Sequence, residues 1–250
     1  MIRSKHPTTQ AAWEWINEFL VTQEERVKKN GGLQSGGQVI SYDHFMEINK
    51  AWVDPEFDFG FMFGYKQQKW SVLKSNYVDM NMVDLVRSEV LEREFKKSQN
   101  YNLAFKFVNT HGHGHGCLIS LVFQRRYSHD NPVVIVNIRS SEVTKRLLMD
   151  FLLVQRITEY IYGDDVSASI KLFAGNMWVS AENFVMYHNH KDLNTILKLG
   201  RTKMEDKVMD IYNKFKEPEA LNIKYRVHLR AVKRIQKLPN PSVKAKDLLL

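Results

Sequence analysis

The chain has 250 residues, 44% hydrophobic and 12% aromatic, which is enough for one sizeable core and too apolar for a disordered chain. No run approaches the roughly 18 consecutive apolar residues that suggest a membrane span, and Met1 to Pro7 lead into no apolar stretch of a secretory signal. One cysteine cannot form an internal disulfide, so a reducing cytoplasm is the expected compartment.

The formal net charge of +8 is unevenly placed: Arg201 to Leu250 hold 13 Lys and Arg against 6 Asp and Glu. Such a segment suits an anionic partner or nucleic acid. These basic residues lack interleaved aromatics that would stack on bases, so a solvated helical face is the favoured reading. The chain is read as a single domain over 1–250, with a basic helical segment at 223–250.

A helix is predicted from Ala11 to Lys29, because Trp13, Ile16, Phe19 and Leu20 share a face and Thr9 stands where a cap belongs. Four glycines in 31–37 read as a loop. Val78 to Lys97 keeps helical spacing through Met82, Leu85, Val86, Val90 and Leu91. Phe105 to Thr110 reads as a short strand. The β-branched runs Cys117–Phe123 and Pro132–Ile138, joined by the turn-forming Tyr127 to Asn131, predict a long antiparallel hairpin.

Leu147 to Tyr162 is apolar on several sides and predicts a buried helix. Ser167 to Val179 reads as a strand. Leu193 to Phe215 and Ile223 to Leu238 read as amphipathic helices, interrupted at Pro218 and ended by Pro239 and Pro241. The expected class is α+β, with one mixed or antiparallel sheet covered by helices.

Three stretches in order carry a resemblance. The first runs from Ala51 and Trp52 through Asp54, Glu56 and Asp58 to Phe63 and Gly64. The second is Gly116-Cys117, then a strand, a turn and a strand ending in Arg139-Ser140-Ser141-Glu142-Val143. The third is the helix that opens at Asp150-Phe151, followed by Gly175-Asn176-Met177-Trp178-Val179-Ser180. Over about residues 45 to 190 the chain resembles the thymidylate synthase and deoxycytidylate hydroxymethylase family, of the kind found in phages that modify their DNA.

The resemblance implies that family's fold, a homodimer formed through a sheet face, and 5,10-methylenetetrahydrofolate as the one-carbon donor. It implies Cys117 as the nucleophile that adds to C6 of a pyrimidine nucleoside monophosphate, and hydroxymethylation of C5, with deoxycytidylate the leading substrate. Arg139 and Ser140 would bind substrate, and Arg139 would help the thiol to ionise, since a free cysteine has a pKa near ~8.5. Asp150 stands where thymidylate synthases keep Asn and the hydroxymethylases keep Asp. A protonated carboxyl could donate to cytosine N3 while accepting from its amino group. An acid within the apolar run Leu147 to Leu152 is costly unless it has a task. Glu14, with Glu18 as the lesser match, would be the catalytic glutamate. Trp52, Phe63, Trp178 and Ser180 would line the substrate site.

The chain also departs from the family. Asn100-Tyr101-Asn102 replaces an arginine pair, Phe63 replaces the active-site tyrosine, and Trp178 and Ser180 replace the sugar-binding His and Tyr. Two further readings stay open on these departures: methylation of thymidylate synthase type or an altered pyrimidine nucleotide, and a non-catalytic relative acting as a binding protein. Lys224, Arg226, Arg230, Lys233 and Arg234 are candidate replacements for the lost phosphate contacts. The alternating His111, His113 and His115 before Cys117 could converge on a metal. The family has none there, so no native metal is expected and a proton-shuttling histidine is the alternative role.

Overall fold

The structure, a computed structural model, describes residues 1–22, 38–92, 99–104, 117–125, 131–180 and 242–250. Strand β1 (Ile2–Thr8) runs into helix α1 (Thr9–Thr22). Strand β2 (Gln38–Lys50) is followed by the short helix α2 (Phe59–Phe63), then α3 (Gln67–Tyr77) and α4 (Met80–Glu92). Strands β3 (Gln99–Ala104), β4 (Leu118–Arg125) and β5 (Val133–Glu142) come next. A π-helical turn (Val143–Leu147) leads into α5 (Leu148–Tyr162), and β6 (Ser169–Ser180) closes the sheet. The protein is α+β, with a mixed six-stranded sheet in the order β1-β2-β6-β5-β4-β3.

The predicted hairpin is present as β4 antiparallel to β5, and the buried helix as α5. Other elements differ. The strands β1 and β2 pair in parallel, and neither was expected. Helix α1 starts two residues early because Thr8 is its cap: Thr8 Oγ1 accepts from Ala11 N–H at 3.1 Å. Thr9 instead ties the helix to the chain after β2, donating to Trp52 O (2.7 Å) and accepting from Trp52 N–H (3.0 Å).

The helix expected from Val78 to Lys97 is α4, which starts at Met80, with residues 93–97 outside the described residues; α3 before it was not expected, and Val78-Asp79 separate the two. Helix α4 buries Val83, Val86 and Val90, so Met82, Leu85 and Leu91 face outward. The third strand is Gln99–Ala104; Phe105 to Thr110 lie outside the described residues, as do the glycine loop, His111 to His115, both predicted C-terminal helices and the basic side chains from Lys224 to Arg234.

Side chains alternate across the sheet as a pleat requires. The cross-strand rows Leu121–Val136–Leu172–Met46 and Phe123–Val134–Ile170–Ile48 are buried on the helix-covered face. The opposite face carries the rows Ser120–Asn137–Phe173–Phe45 and Val122–Ile135–Lys171–Glu47, all partly or fully exposed among the described residues. On it the rings of Phe45 and Phe173 meet at 4.7 Å.

This alternation slips at one level of the sheet. Burial on β6 falls at Ile170, Leu172 and Ala174, then shifts by one to Met177 and Val179. On β5 it passes from Ile138 to Ser141 in the same way. Asp43, between the pairs His44–Ala174 and Tyr42–Asn176, has a φ of 58°. The β4–β5 register is irregular between Leu118 and Ser120. A kink therefore crosses four strands, as bulges do where a side chain must be re-aimed. Gly175 permits it: a Cβ there would sit 2.8 Å from the Arg139 carbonyl oxygen. Gly175→Ala should cost about 1–3 kcal/mol through this overlap with backbone. A thermal melt followed by circular dichroism should show a drop of several degrees.

The last residues are bound to the body. Val243 N–H donates to Asp58 Oδ1 at 2.9 Å and Trp70 Nε1 to Leu249 O at 2.7 Å. Arg156 reaches Leu248 O (3.0 Å) and Ala245 O (2.9 Å).

Candidate active site

Cys117 lies immediately before β4, at the level of the kink. Its carbonyl accepts from Arg139 N–H at 2.8 Å, which fixes the nucleophile candidate to β5. Its own N–H donates to the phenol oxygen of Tyr77 at 3.1 Å. Tyr77 is the last residue of α3, so the break between α3 and α4 delivers a hydroxyl to the start of β4.

Asp150 sits in the first turn of α5 and is 3% exposed. The apolar residues around it on α5 make that helix face the core, and the carboxyl goes in with it. Its Oδ2 has no hydrogen-bond partner among the described residues. Burial, opposed by the charge of Arg146, raises its pKa to about 7. The carboxyl is therefore about half protonated at neutral pH.

The thiol of Cys117 is pushed up from its ordinary value, first by burial and then by the Asp150 charge, while Arg146 and Arg139 pull it down. The Tyr77 phenol is also raised, by burial first and by Asp150 second. Cys117, Asp150, Tyr77, Arg146 and Arg139 thus act on one another from four separate segments: α3, the residue before β4, β5, and the π turn with α5.

Of the residues expected from sequence, Arg139 is bonded through its backbone to Cys117, and the charges of Arg139 and Asp150 act on the Cys117 thiol. Ser140 is the next residue of β5, and its hydroxyl donates to Asn176 Oδ1 on β6. Trp178, two residues further along β6, is half-buried and pairs with Glu142 and Ile40. Ser180 ends β6.

Phe63 lies elsewhere. It is buried in a ring cluster, edge-on to Trp13 at 6.2 Å and near Phe57, Phe59 and Tyr65. The phenol bonded to the Cys117 backbone comes from Tyr77. Trp52 is held through its backbone by Thr9 and Gln10. Glu14 accepts from Gln10 Nε2 at 3.4 Å on its own helix, and it is not among the charges acting on Cys117 or Asp150. Glu18 is exposed.

Sequence reasoning missed Tyr77 and Arg146. Tyr77 carries no local signal, because only the fold takes it to Cys117. Arg146 carried none either, because it lies in a π turn whose path the helical periodicity does not show.

Two of these residues form a unit that can act on a ligand. A neutral carboxyl offers one donor and one acceptor side by side, and the thiol beside it is a nucleophile once ionised. Comparison with protein-family models and with curated protein sequences gives no match.

Proposed function

We propose that this protein belongs to the thymidylate synthase and deoxycytidylate hydroxymethylase family and hydroxymethylates C5 of a pyrimidine nucleoside monophosphate, most favourably deoxycytidylate. The observation that carries the reading is the buried Asp150 carboxyl with an unpartnered Oδ2, whose charge acts on Cys117, the sole thiol of the chain. An unmade hydrogen bond in a buried site costs about 1–3 kcal/mol, which a base with a matching edge would recover.

In the proposed reaction the Cys117 thiolate bonds to C6, and the C5=C6 electrons move to C5. C5 bonds to the one-carbon unit, for which 5,10-methylenetetrahydrofolate is the second substrate. Loss of the C5 proton and of tetrahydrofolate, with cleavage of the bond from the methylene carbon to its folate nitrogen, leaves an exocyclic methylene on C5. Water adds to that carbon as the hydroxyl, losing a proton, and departure of Sγ from C6 restores the C5=C6 double bond. Asp150 holds the base: its hydroxyl donates to cytosine N3, and its carbonyl oxygen accepts from the amino group. Arg139, exposed on β5, would take the phosphate, for which its fork of donors suits it. Tyr77 fixes the Cys117 backbone while the thiol reacts.

The half-open sheet face with Phe45, Phe173, Ile135 and Val122 supports the homodimer that the resemblance implies. A second copy there would bury it.

The test is release of tritium from the C5 position of labelled deoxycytidylate, incubated with tetrahydrofolate and formaldehyde. Release is expected from the wild type and not from Cys117→Ala, and no difference between them would sink the reading. A neutral carboxyl also fits N3–H and O4 of uracil. Labelled deoxyuridylate is therefore run in parallel, and release from it alone would replace the cytosine assignment.

A further inference from the structure

Helix α3 is held to the body by few contacts. It has 11 residues, below the roughly 12–15 that an isolated helix needs to persist in water. Lys66, before it, gives no side-chain cap. Trp70 is buried, while Gln67, Gln68, Lys69, Ser71, Val72 and Ser75 are exposed. Neither length nor burial fixes such a helix firmly, so its place depends on its inward face. Trp70, Leu73 and Tyr77 share that face at helical spacing, and Leu73 and Tyr77 pack against the core.

A polar tie sits at each end of this face. Trp70 Nε1 donates to Leu249 O at 2.7 Å. The Tyr77 phenol oxygen accepts from Cys117 N–H at 3.1 Å. About 10 Å of helix separates the two ties. The first belongs to the segment 242–250, which is docked across several parts of the body. Phe59 N–H donates to Val243 O and Ala245 N–H to Phe57 O, both at 2.9 Å. Arg156 of α5 holds Ala245 O and Leu248 O. Glu56 pairs with Lys244 at 2.6 Å and with Lys246 at 2.5 Å. Val243, Ala245 and Leu248 are buried by this docking.

We propose that residues 242–250 are a strap that controls the reactivity of Cys117 through α3. Docked, the strap holds Trp70 and with it the helix, whose Tyr77 then holds the residue before β4. Undocked, it frees α3 to shift, since elements with few buried contacts open at low free energy, and the half-buried thiol becomes more accessible. The proposal concerns regulation of the site assigned above and rests on Cys117 as its reacting thiol, but its test needs no turnover.

Cys117 is the sole cysteine, so the mass gain on treatment with iodoacetamide reports it alone. Alkylation rates are compared at one pH, on the full chain, for the wild type, Trp70→Phe, Leu248→Ala, Tyr77→Phe and the two double variants that add Tyr77→Phe. Tyr77→Phe removes the acceptor of the Cys117 N–H and should raise the rate about fivefold, the worth of one ordinary hydrogen bond. Trp70→Phe removes a donor to the strap and Leu248→Ala removes its buried side chain, and each should raise the rate by about two- to fivefold. Neither should add to the gain in Tyr77→Phe, because the link is already cut there. A general loss of stability would instead speed alkylation by the same factor in both backgrounds. Ile16→Val, a core change on α1, should lower the melting temperature and leave the rate as it is. An unchanged rate in Trp70→Phe or Leu248→Ala, an equal gain on top of Tyr77→Phe, or an equal gain in Ile16→Val overturns the proposal. Melting curves confirm folding, and if Trp70→Phe does not fold, Leu248→Ala decides alone. If the pattern holds and no tritium is released from deoxycytidylate, the strap stands and the hydroxymethylase reading falls.

Discussion

Asp150→Asn should remove a pH dependence of stability that the wild type shows between about pH 4 and pH 8. The Asp150 carboxyl has an ordinary pKa of 3.8 and is raised to about 7 in the folded protein, chiefly by burial. The folded state therefore binds this proton more tightly than the unfolded state. Its contribution to stability is fully present below about pH 4 and is lost as pH rises through about 7. A shift of this size corresponds to roughly 4 kcal/mol, and for a chain of this length that is a change on the order of 10 °C in melting temperature.

The asparagine has no proton to lose. It should melt above the wild type at pH 8, where the wild type must bury a charge, and at or below it at pH 5, where the amide gains nothing over a neutral carboxyl. Melts at the two pH values decide this. A difference between wild type and variant that is the same at both would show that Asp150 ionises freely in the folded protein.

The reason Asp150 could be found in the sequence is the reason it has this pKa. An acid between Met149 and Phe151, in a run that is apolar on all sides, must either be buried or break the helix. The same kind of signal made β4, β5 and α5 legible, since their cores are continuous runs of Val, Ile, Leu and Phe. Strands β1 and β2 were not legible. β1 has a polar residue at most positions, and only the tertiary pairing buries His6, His44, Met46 and Ile48. The break between α3 and α4 has no Gly or Pro to mark it, and Val78 continues the helical spacing on both sides.

The site was half-legible for a related reason. Cys117, Arg139 and Asp150 sit in or beside the elements that pattern reveals. Tyr77 arrives from α3, a helix that the pattern did not reveal, and only the fold takes its phenol to the Cys117 backbone. The kink had one visible trace, Gly175, in a strand that otherwise lacks glycine. Its meaning needed the approach of the Arg139 carbonyl. Sequence periodicity reports which face of an element is buried; it does not report which ends of four elements meet.

Trp13 links that core to the site, and its replacement should have the largest effect on folding. The side chain is fully buried, and its indole N–H is shared between two carbonyls of the π turn, Val143 O at 2.9 Å and Thr144 O at 3.1 Å. This bond ties α1 to the start of the π turn. Thr144 adds a second tie by donating to Asn17 Oδ1 at 2.7 Å, and Asn17 in turn donates to Trp13 O at 2.7 Å.

Trp13→Phe keeps most of the ring packing against Phe57 and Phe63 but removes the indole donor shared by two carbonyls of the π turn, which should cost about 1 kcal/mol. Trp13→Ala adds a cavity worth about 3–5 kcal/mol, enough to bring a protein of ordinary stability close to unfolding. Urea titration of both variants measures the two contributions. The Thr144→Val change acts on the same turn, so combining it with Trp13→Phe should depart from additivity by at least about 0.5 kcal/mol. Strict additivity would mean that the two ties hold the turn independently.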